Sequence, residues 1–298
     1  MMISKIFFDI TKLCNANCKY CFTNSSSTKD KAELSNDEIL KTFIEIRKNK
    51  INKVSIGGGE PFLKDIVEII NDNRDMQISI TTNGTILNDD IIKCLQENQN
   101  VKVTISLDSL SNINSNNVRE GINVEYVINN LKTLSGHREI IDRISVRTTI
   151  SKYNKEDIFD IINFCDESGI KNLKVNSTNL FGRAKENNNI PIPFDEFMKL
   201  LDDILVYCKE KEVKCKVELP VEKYLTQKQN CLCGTTSLYI DYKGDVFPCA
   251  FTEGALLLGN IKSGGLDKIL KKEFDHKNEF CMKCAINRYK AYDKKTIN

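Results

Sequence analysis

The chain has 298 residues, 41% of them hydrophobic, which is enough for one large α/β domain with a small appendage. Its 43 Lys and Arg against 41 Asp and Glu leave a formal charge of +2 with no dense basic block, which excludes an electrostatic nucleic-acid binder. No stretch reaches membrane-spanning length and the first residues carry no secretory pattern, so a soluble cytoplasmic protein is expected.

Apolar and β-branched residues in "KIFFDI" (5–10) form the first predicted strand. It runs into "TKLCNANCKYC", where Cys14, Cys18 and Cys21 place three thiols on one loop with Tyr20 just before the last. Twelve cysteines without a secretion signal argue for metal or redox chemistry rather than disulfides. With His137 and His276 as the only imidazoles, a metal is expected to be held mostly by sulfur. Three thiolates at CX3CX2C can bind three irons of an iron–sulfur cube and leave the fourth open for a substrate. The competing reading is a zinc site closed by a distant fourth ligand.

A capping box, Ser35 with Glu38, announces a helix carrying Ile39, Leu40, Phe43 and Ile44. Further strands are predicted at 53–57, 77–82, 101–107, 143–150 and 172–178, most followed by a helix. The helix from Asn154 to the Gly169 stop sets Ile158, Ile161, Ile162 and Cys165 on one face. Polar, Gly-rich stretches fall at the C-terminal ends of the strands: "GGGEP" after the second, "TNGT" after the third, "DSLSN" after the fourth. Six such units make an incomplete (β/α)6 version of the eight-unit barrel, whose chemistry sits at those ends. "GRAKENNNIPIP" (182–193) then breaks the pattern, and a helix at 195–210 and a strand at 213–219 follow. The expected division is a partial barrel over 1–220 and a small cysteine-bearing module over 221–298, which a metal would cross-link. There, Gly244 in "DYKGDVFPC" suits a hairpin turn that returns Cys249 to Cys233. Cys94, Cys165, Cys208 and Cys215 continue apolar patterns and read as core, whereas Cys231 has an open role.

Together these motifs resemble the radical S-adenosylmethionine superfamily. Cys14, Cys18 and Cys21, with Tyr20, match its cluster motif; Gly58, Gly59, Glu60 and Pro61 match its GGEP motif, which holds the methionine ammonium group. Ser106 and Asp108 match residues that contact the cofactor's ribose and methionine, and Arg119 matches an arginine that meets its carboxylate. Cys233, Gly244, Cys249, Cys281 and Cys284 resemble the auxiliary-cluster module in its shortened Twitch form, which implies one auxiliary [4Fe-4S] or [2Fe-2S] cluster. "FGRA" (181–184) further resembles SPASM and Twitch enzymes, many of which modify peptides.

The resemblance implies S-adenosylmethionine, a catalytic [4Fe-4S] cluster, an external electron donor of flavodoxin or ferredoxin type, and a 5'-deoxyadenosyl radical that abstracts hydrogen. The expected substrate is a ribosomally synthesised peptide, modified by an oxidative cross-link or a related step. Because the chain begins directly at its first strand, the peptide is expected to be recognised by the core or through a separate leader-recognition protein. Alternatives are peptide epimerisation with Cys231 as catalytic hydrogen donor, a Twitch-type small-molecule alcohol dehydrogenase, and a zinc-stabilised binding protein. Neither nucleic acid nor membrane is an expected partner.

Overall fold

In β1 (Lys5–Thr11) the side chains of Ile6, Phe8 and Ile10 are fully buried while Phe7 between them is 40% exposed. Phe8 meets Phe43 of α1 (Asn36–Lys48), with ring centroids 6.0 Å apart, so the apolar face of the strand is the one the helices cover. The same alternation repeats in β3 (Lys53–Gly58), β4 (Gln77–Thr82), β5 (Val101–Ser106), β7 (Ile144–Ile150) and β8 (Asn172–Ser177). Burying each such Ile, Val or Phe contributes about 1.5–3 kcal/mol, and a register slip of one residue would turn the whole set toward solvent. The computed structural model describes residues 3–178, 180–187, 189–220, 233–252 and 256–271.

The six predicted strands lie side by side and parallel in the order β1-β3-β4-β5-β7-β8, the winding of a partial barrel. Crossover helices separate them: α1, then α2 (Ile66–Asn71), α3 (Asp89–Glu97), α5 (Val124–Ser135) with the short α6 (Arg138–Ile141), and α7 (Ile158–Glu167). Short pieces also intervene, β2 (Asn17–Cys18), α4 (Asn112–Asn116) and β6 (Arg119–Glu120). The capping box forms as expected, with Ser35 accepting from Glu38 N and Glu38 accepting from Ser35 N. Ile44, however, is 45% exposed, because the 3.6-residue period carries the buried face through Ile39, Thr42, Phe43 and Ile46 and leaves position 44 opposite. Cys94, Cys165 and Cys215 are buried in the core, and Cys208 packs partly buried against it.

Two additions extend the sheet beyond the six expected strands. After α8 (Phe194–Glu210), the strand expected over 213–219 is shorter, β9 (Lys216–Glu218), and it pairs parallel with β8. At the other edge β10 (Ser237–Ile240) pairs parallel with β1, from Lys5 against Ser237 to Phe8 against Ile240. β11 (Asp245–Phe247) and β12 (Gly259–Asn260) then follow antiparallel, completing a ten-stranded sheet. The hairpin beyond residue 233 is thus part of the barrel sheet, with Leu238, Ile240 and Val246 in the common core. Helices α9 (Ile261–Gly264) and α10 (Leu266–Leu270) end the described chain, and Leu266 and Ile269 are buried in that core. No helix among the described residues is long and apolar enough to cross a membrane.

Candidate functional site

The pairing of β1 with β3 slips between Asp9 and Thr11, where the chain leaves the sheet for the three-thiol loop. Glu33 secures this exit: its Oε1 accepts from Thr11 Oγ1 at 2.7 Å and pairs with Lys64 Nζ at 2.7 Å, with both charged groups almost wholly shielded from solvent. From the next strand "GGGEP" is pressed against the same loop. A Cβ at Gly58 would lie 2.3 Å from Thr11 O, and one at Gly59 only 2.1 Å from Leu13 O. In place of side chains, Gly59 N and Glu60 N donate to those carbonyls at 2.7 and 2.8 Å. These glycines therefore allow the close backbone approach that their motif suggested, with the thiol loop itself as the neighbour.

Glu60 is fully buried, and its carboxylate is engaged by protein donors: Oε1 accepts from Phe62 N at 3.0 Å and Thr82 Oγ1 at 2.7 Å, Oε2 from Asn83 N at 2.7 Å. Burial raises its pKa against the lowering effect of those bonds. Pro61 is buried at the start of the 3-10 turn that Glu60 caps. Asn83, in the "TNG" turn, also donates from Nδ2 to Asn15 Oδ1 at 2.7 Å, and so joins the third strand end to the thiol loop. Asn15 and Glu33 carry no motif signal of their own, and Asn83 lies in the "TNG" stretch marked at the third strand end; only the fold reveals all three as ties of this loop.

The three thiols lie near enough to influence one another's charge. Burial pushes the Cys14 thiol up to about 11, and the charges of Cys18 and Cys21 add to the rise. Burial also raises Cys18, with Arg119 opposing. Cys21 Sγ accepts from Ser25 N at 3.3 Å. Among the described residues no three Cys, His, Asp or Glu side chains are set together as a group that could hold a metal ion.

Arg119 reaches this site because β6 pairs antiparallel with β2, which sets Arg119 opposite Cys18. Its guanidinium is buried; Nη1 donates to Ser106 O, and Nε stands 4.0 Å from Asp108 Oδ2. Asp108 accepts from Tyr20 OH on Oδ2 and from Thr149 N on Oδ1 at 2.8 Å. Burial raises the Asp108 pKa while Arg119 opposes that rise. For Arg119, burial works downward, yet Tyr20, Asp108 and Cys18 outweigh it and hold the guanidinium above its ordinary pKa. Ser106 ends β5 on the concave face; Asp108 lies beyond the strand, drawn inward by these partners.

On the opposite side the loop is gripped by "FGRA". A Cβ at Gly182, whose φ is +53°, would lie 2.2 Å from Cys21 O and 2.3 Å from Phe22 O. Arg183 N donates to Cys21 O at 3.0 Å and its Nε to Cys18 O at 2.8 Å. Phe22, Phe181 and Phe251 form a ring trio, with centroids 4.7 to 5.7 Å apart, that joins the thiol loop to the segment just after Cys249.

Comparison with known proteins agrees with this geometry. The family model for the radical SAM superfamily matches residues 8–165, and that for the SPASM iron-sulfur cluster-binding domain matches residues 231–289. The chain belongs to the radical SAM superfamily. It is 25% identical to the AdoMet-dependent heme synthase of Methanosarcina barkeri, over 96% of this chain and 88% of that protein. It is 26% identical to AlbA, the antilisterial bacteriocin subtilosin biosynthesis protein of Bacillus subtilis, over 95% of this chain and 65% of AlbA. The fold is similar to that of Streptococcus suis SuiB solved with S-adenosylmethionine, with a TM-score of 0.78, 18% identity, and 96% of this chain and 72% of SuiB covered; the SuiB structure with its precursor peptide SuiA gives 0.76.

A radical SAM enzyme uses S-adenosylmethionine and a [4Fe-4S] cluster, and a SPASM region binds auxiliary iron–sulfur clusters. The observed residues fit these groups. Three thiols that influence one another's charge stand on one loop, the donor chemistry of an iron–sulfur cluster, and Arg119 Nε is a buried donor with no hydrogen-bond partner among the described residues, such as a carboxylate would satisfy. In the SPASM region the hairpin turns at Gly244, φ +88°, as expected. Its arms pair Tyr239 with Phe247 and Ile240 with Val246, Cys249 follows two residues after the strand, and Ser237 at the start of β10 bridges Cys233. Cys231, Cys281 and Cys284 lie outside the described residues.

Proposed function

We propose that this radical SAM enzyme modifies a ribosomally synthesised peptide by an oxidative step. In this reading Cys14, Cys18 and Cys21 hold the catalytic cluster, and Cys233, Cys249, Cys281 and Cys284 hold one auxiliary cluster. Its Twitch-type module spans 221–298 beside a barrel of 1–220. The carrying observation is a loop bearing three neighbouring thiols, a buried arginine with a donor left without a partner among the described residues, and a cysteine-bearing hairpin paired to the strand that leads into that loop. Bound there, S-adenosylmethionine and the cluster would supply the radical chemistry for hydrogen abstraction from a C–H bond. The chain's own part is placement: Arg119 with Ser106 orients the cofactor, Tyr20 and Asp108 hold Arg119, and the loops exclude water.

Support for a peptide comes from AlbA, a bacteriocin biosynthesis protein that matches almost the whole chain, and from the SuiB fold, solved with a precursor peptide. An external flavodoxin- or ferredoxin-type protein would deliver the electron, and a separate protein could present the leader. The heme synthase match favours a second reading, oxidation of a non-peptide substrate. To decide, the anaerobically reconstituted enzyme is incubated with reductant, S-adenosylmethionine and a short peptide encoded beside it. The expected product has lost two hydrogens. Formation of 5'-deoxyadenosine with the peptide unchanged would refute the peptide reading, while deuterium uptake from solvent abolished by Cys231→Ala would replace oxidation with epimerisation.

A further inference from the structure

The face of the sheet away from the helices carries an arginine that the proposed cofactor site does not use. Arg147 lies on β7, in register with Ser106 of β5 on one side and Lys174 of β8 on the other. Other arginines in the core are committed to backbone carbonyls: Arg119 to Ser106, Arg183 to Cys18, and Arg143 to Leu95, Asn98, Val101 and Glu139. Arg147 makes no such bond. Its Nε is shielded from solvent without a hydrogen-bond partner, and no ion pair reaches its guanidinium among the described residues. Burial lowers its pKa with no neighbouring charge to offset the effect.

A desolvated guanidinium without a counter-charge is costly, and its planar fork matches a carboxylate with two parallel hydrogen bonds. Acids on this face are engaged elsewhere: Glu218 of β9, in register with Lys174, pairs with Lys216 Nζ at 3.4 Å, Asp9 accepts from Tyr239 OH at 2.7 Å, and Asp108 is held by Tyr20 and Thr149 N. We infer that Arg147 receives a carboxylate of the substrate, on the strand next to Ser106 and level with it. This rests on the peptide reading for its two natural sources, an acidic side chain or the peptide C-terminus.

The test uses cluster-loaded enzyme with S-adenosylmethionine and no reductant, titrated calorimetrically with four probes. These are acetyl-Gly-Glu-Gly-amide, its Gln analogue, acetyl-Gly-Gly-Gly with a free C-terminus, and glutarate. At least one peptide carboxylate should bind about tenfold or more tightly than the Gln analogue. That preference should vanish in Arg147→Gln and survive in part in Arg147→Lys, with iron content and S-adenosylmethionine affinity unchanged within about twofold. The inference is overturned if the wild type shows no preference, if the preference persists in Arg147→Gln, or if both variants lose S-adenosylmethionine about tenfold, which would make Arg147 a cofactor anchor. Arg147-dependent binding of glutarate alone would keep the carboxylate site and count against the peptide reading.

Discussion

Glu60 shows how far a motif residue can be read before its partners are seen. Its carboxylate accepts from Phe62 N, Thr82 Oγ1 and Asn83 N, so Glu60→Gln turns an amide NH2 toward donors that need an acceptor. The expected cost is about 1–3 kcal/mol of stability in the cluster-free protein, measured by urea unfolding; an unchanged midpoint would show that the carboxylate serves the cofactor alone. Cys14 gives a second prediction. With its thiol pushed up from 9.0 to about 11, its thiolate is scarcer at pH 8 by about a hundredfold than that of an ordinary cysteine. Alkylation of Cys14 in the cluster-free protein, followed by peptide mass mapping, should lag by that factor. It should rise about tenfold per pH unit and level off only near the raised value, because a raised pKa keeps the thiol protonated until then. The cysteine spacing and the "TNG" turn were legible at once, whereas Asn15 and Glu33 were not, since a lone polar residue in a loop has no periodicity to mark it.

The "FGRA" loop is an element whose job is position. Gly182 adopts a left-handed φ against the carbonyls of Cys21 and Phe22, so Gly182→Ala meets both backbone strain and overlap, about 1–3 kcal/mol. Because the strain falls on the cluster loop, reconstituted Gly182→Ala should bind roughly four fewer irons while the auxiliary cluster's iron remains. Equal loss of all iron would indicate general misfolding instead. Arg183→Lys keeps the charge but not the fork that reaches Cys18 O, and is expected to give a milder version of the same defect. Helix α1 gives the control: Ile44→Glu changes an exposed position, so its melting temperature should stay close to wild type, whereas Phe43→Ala, in contact with Phe8, should lose about 3–5 kcal/mol. At this scale the capping box and the strand patterns were readable because they are local and periodic. The last turn of reasoning, which face of α1 is buried at position 44, needed the helix placed on the sheet.

Across the whole molecule, the decisive feature is that β10 lies parallel against β1, from opposite ends of the chain. A fragment of residues 1–220 would expose the full edge of β1 and lose Leu238, Ile240 and Val246 from the core. It should aggregate or melt well below the intact chain; a monomeric fragment with an unchanged melting temperature would show that the hairpin is an appended unit. What the sequence determined by itself was the run of strand-helix units, the thiol loop, the glycines beside it and the hairpin at Gly244, because each is written in spacing, periodicity or turn chemistry within a few residues. What only the tertiary structure decided was pairing at long range: β10 beside β1, Arg119 opposite Cys18, Arg183 on the cluster loop, and Arg147 Nε left without a partner among the described residues. Such contacts depend on which segments meet when apolar faces are buried together, and that choice belongs to the whole chain rather than to any window of it.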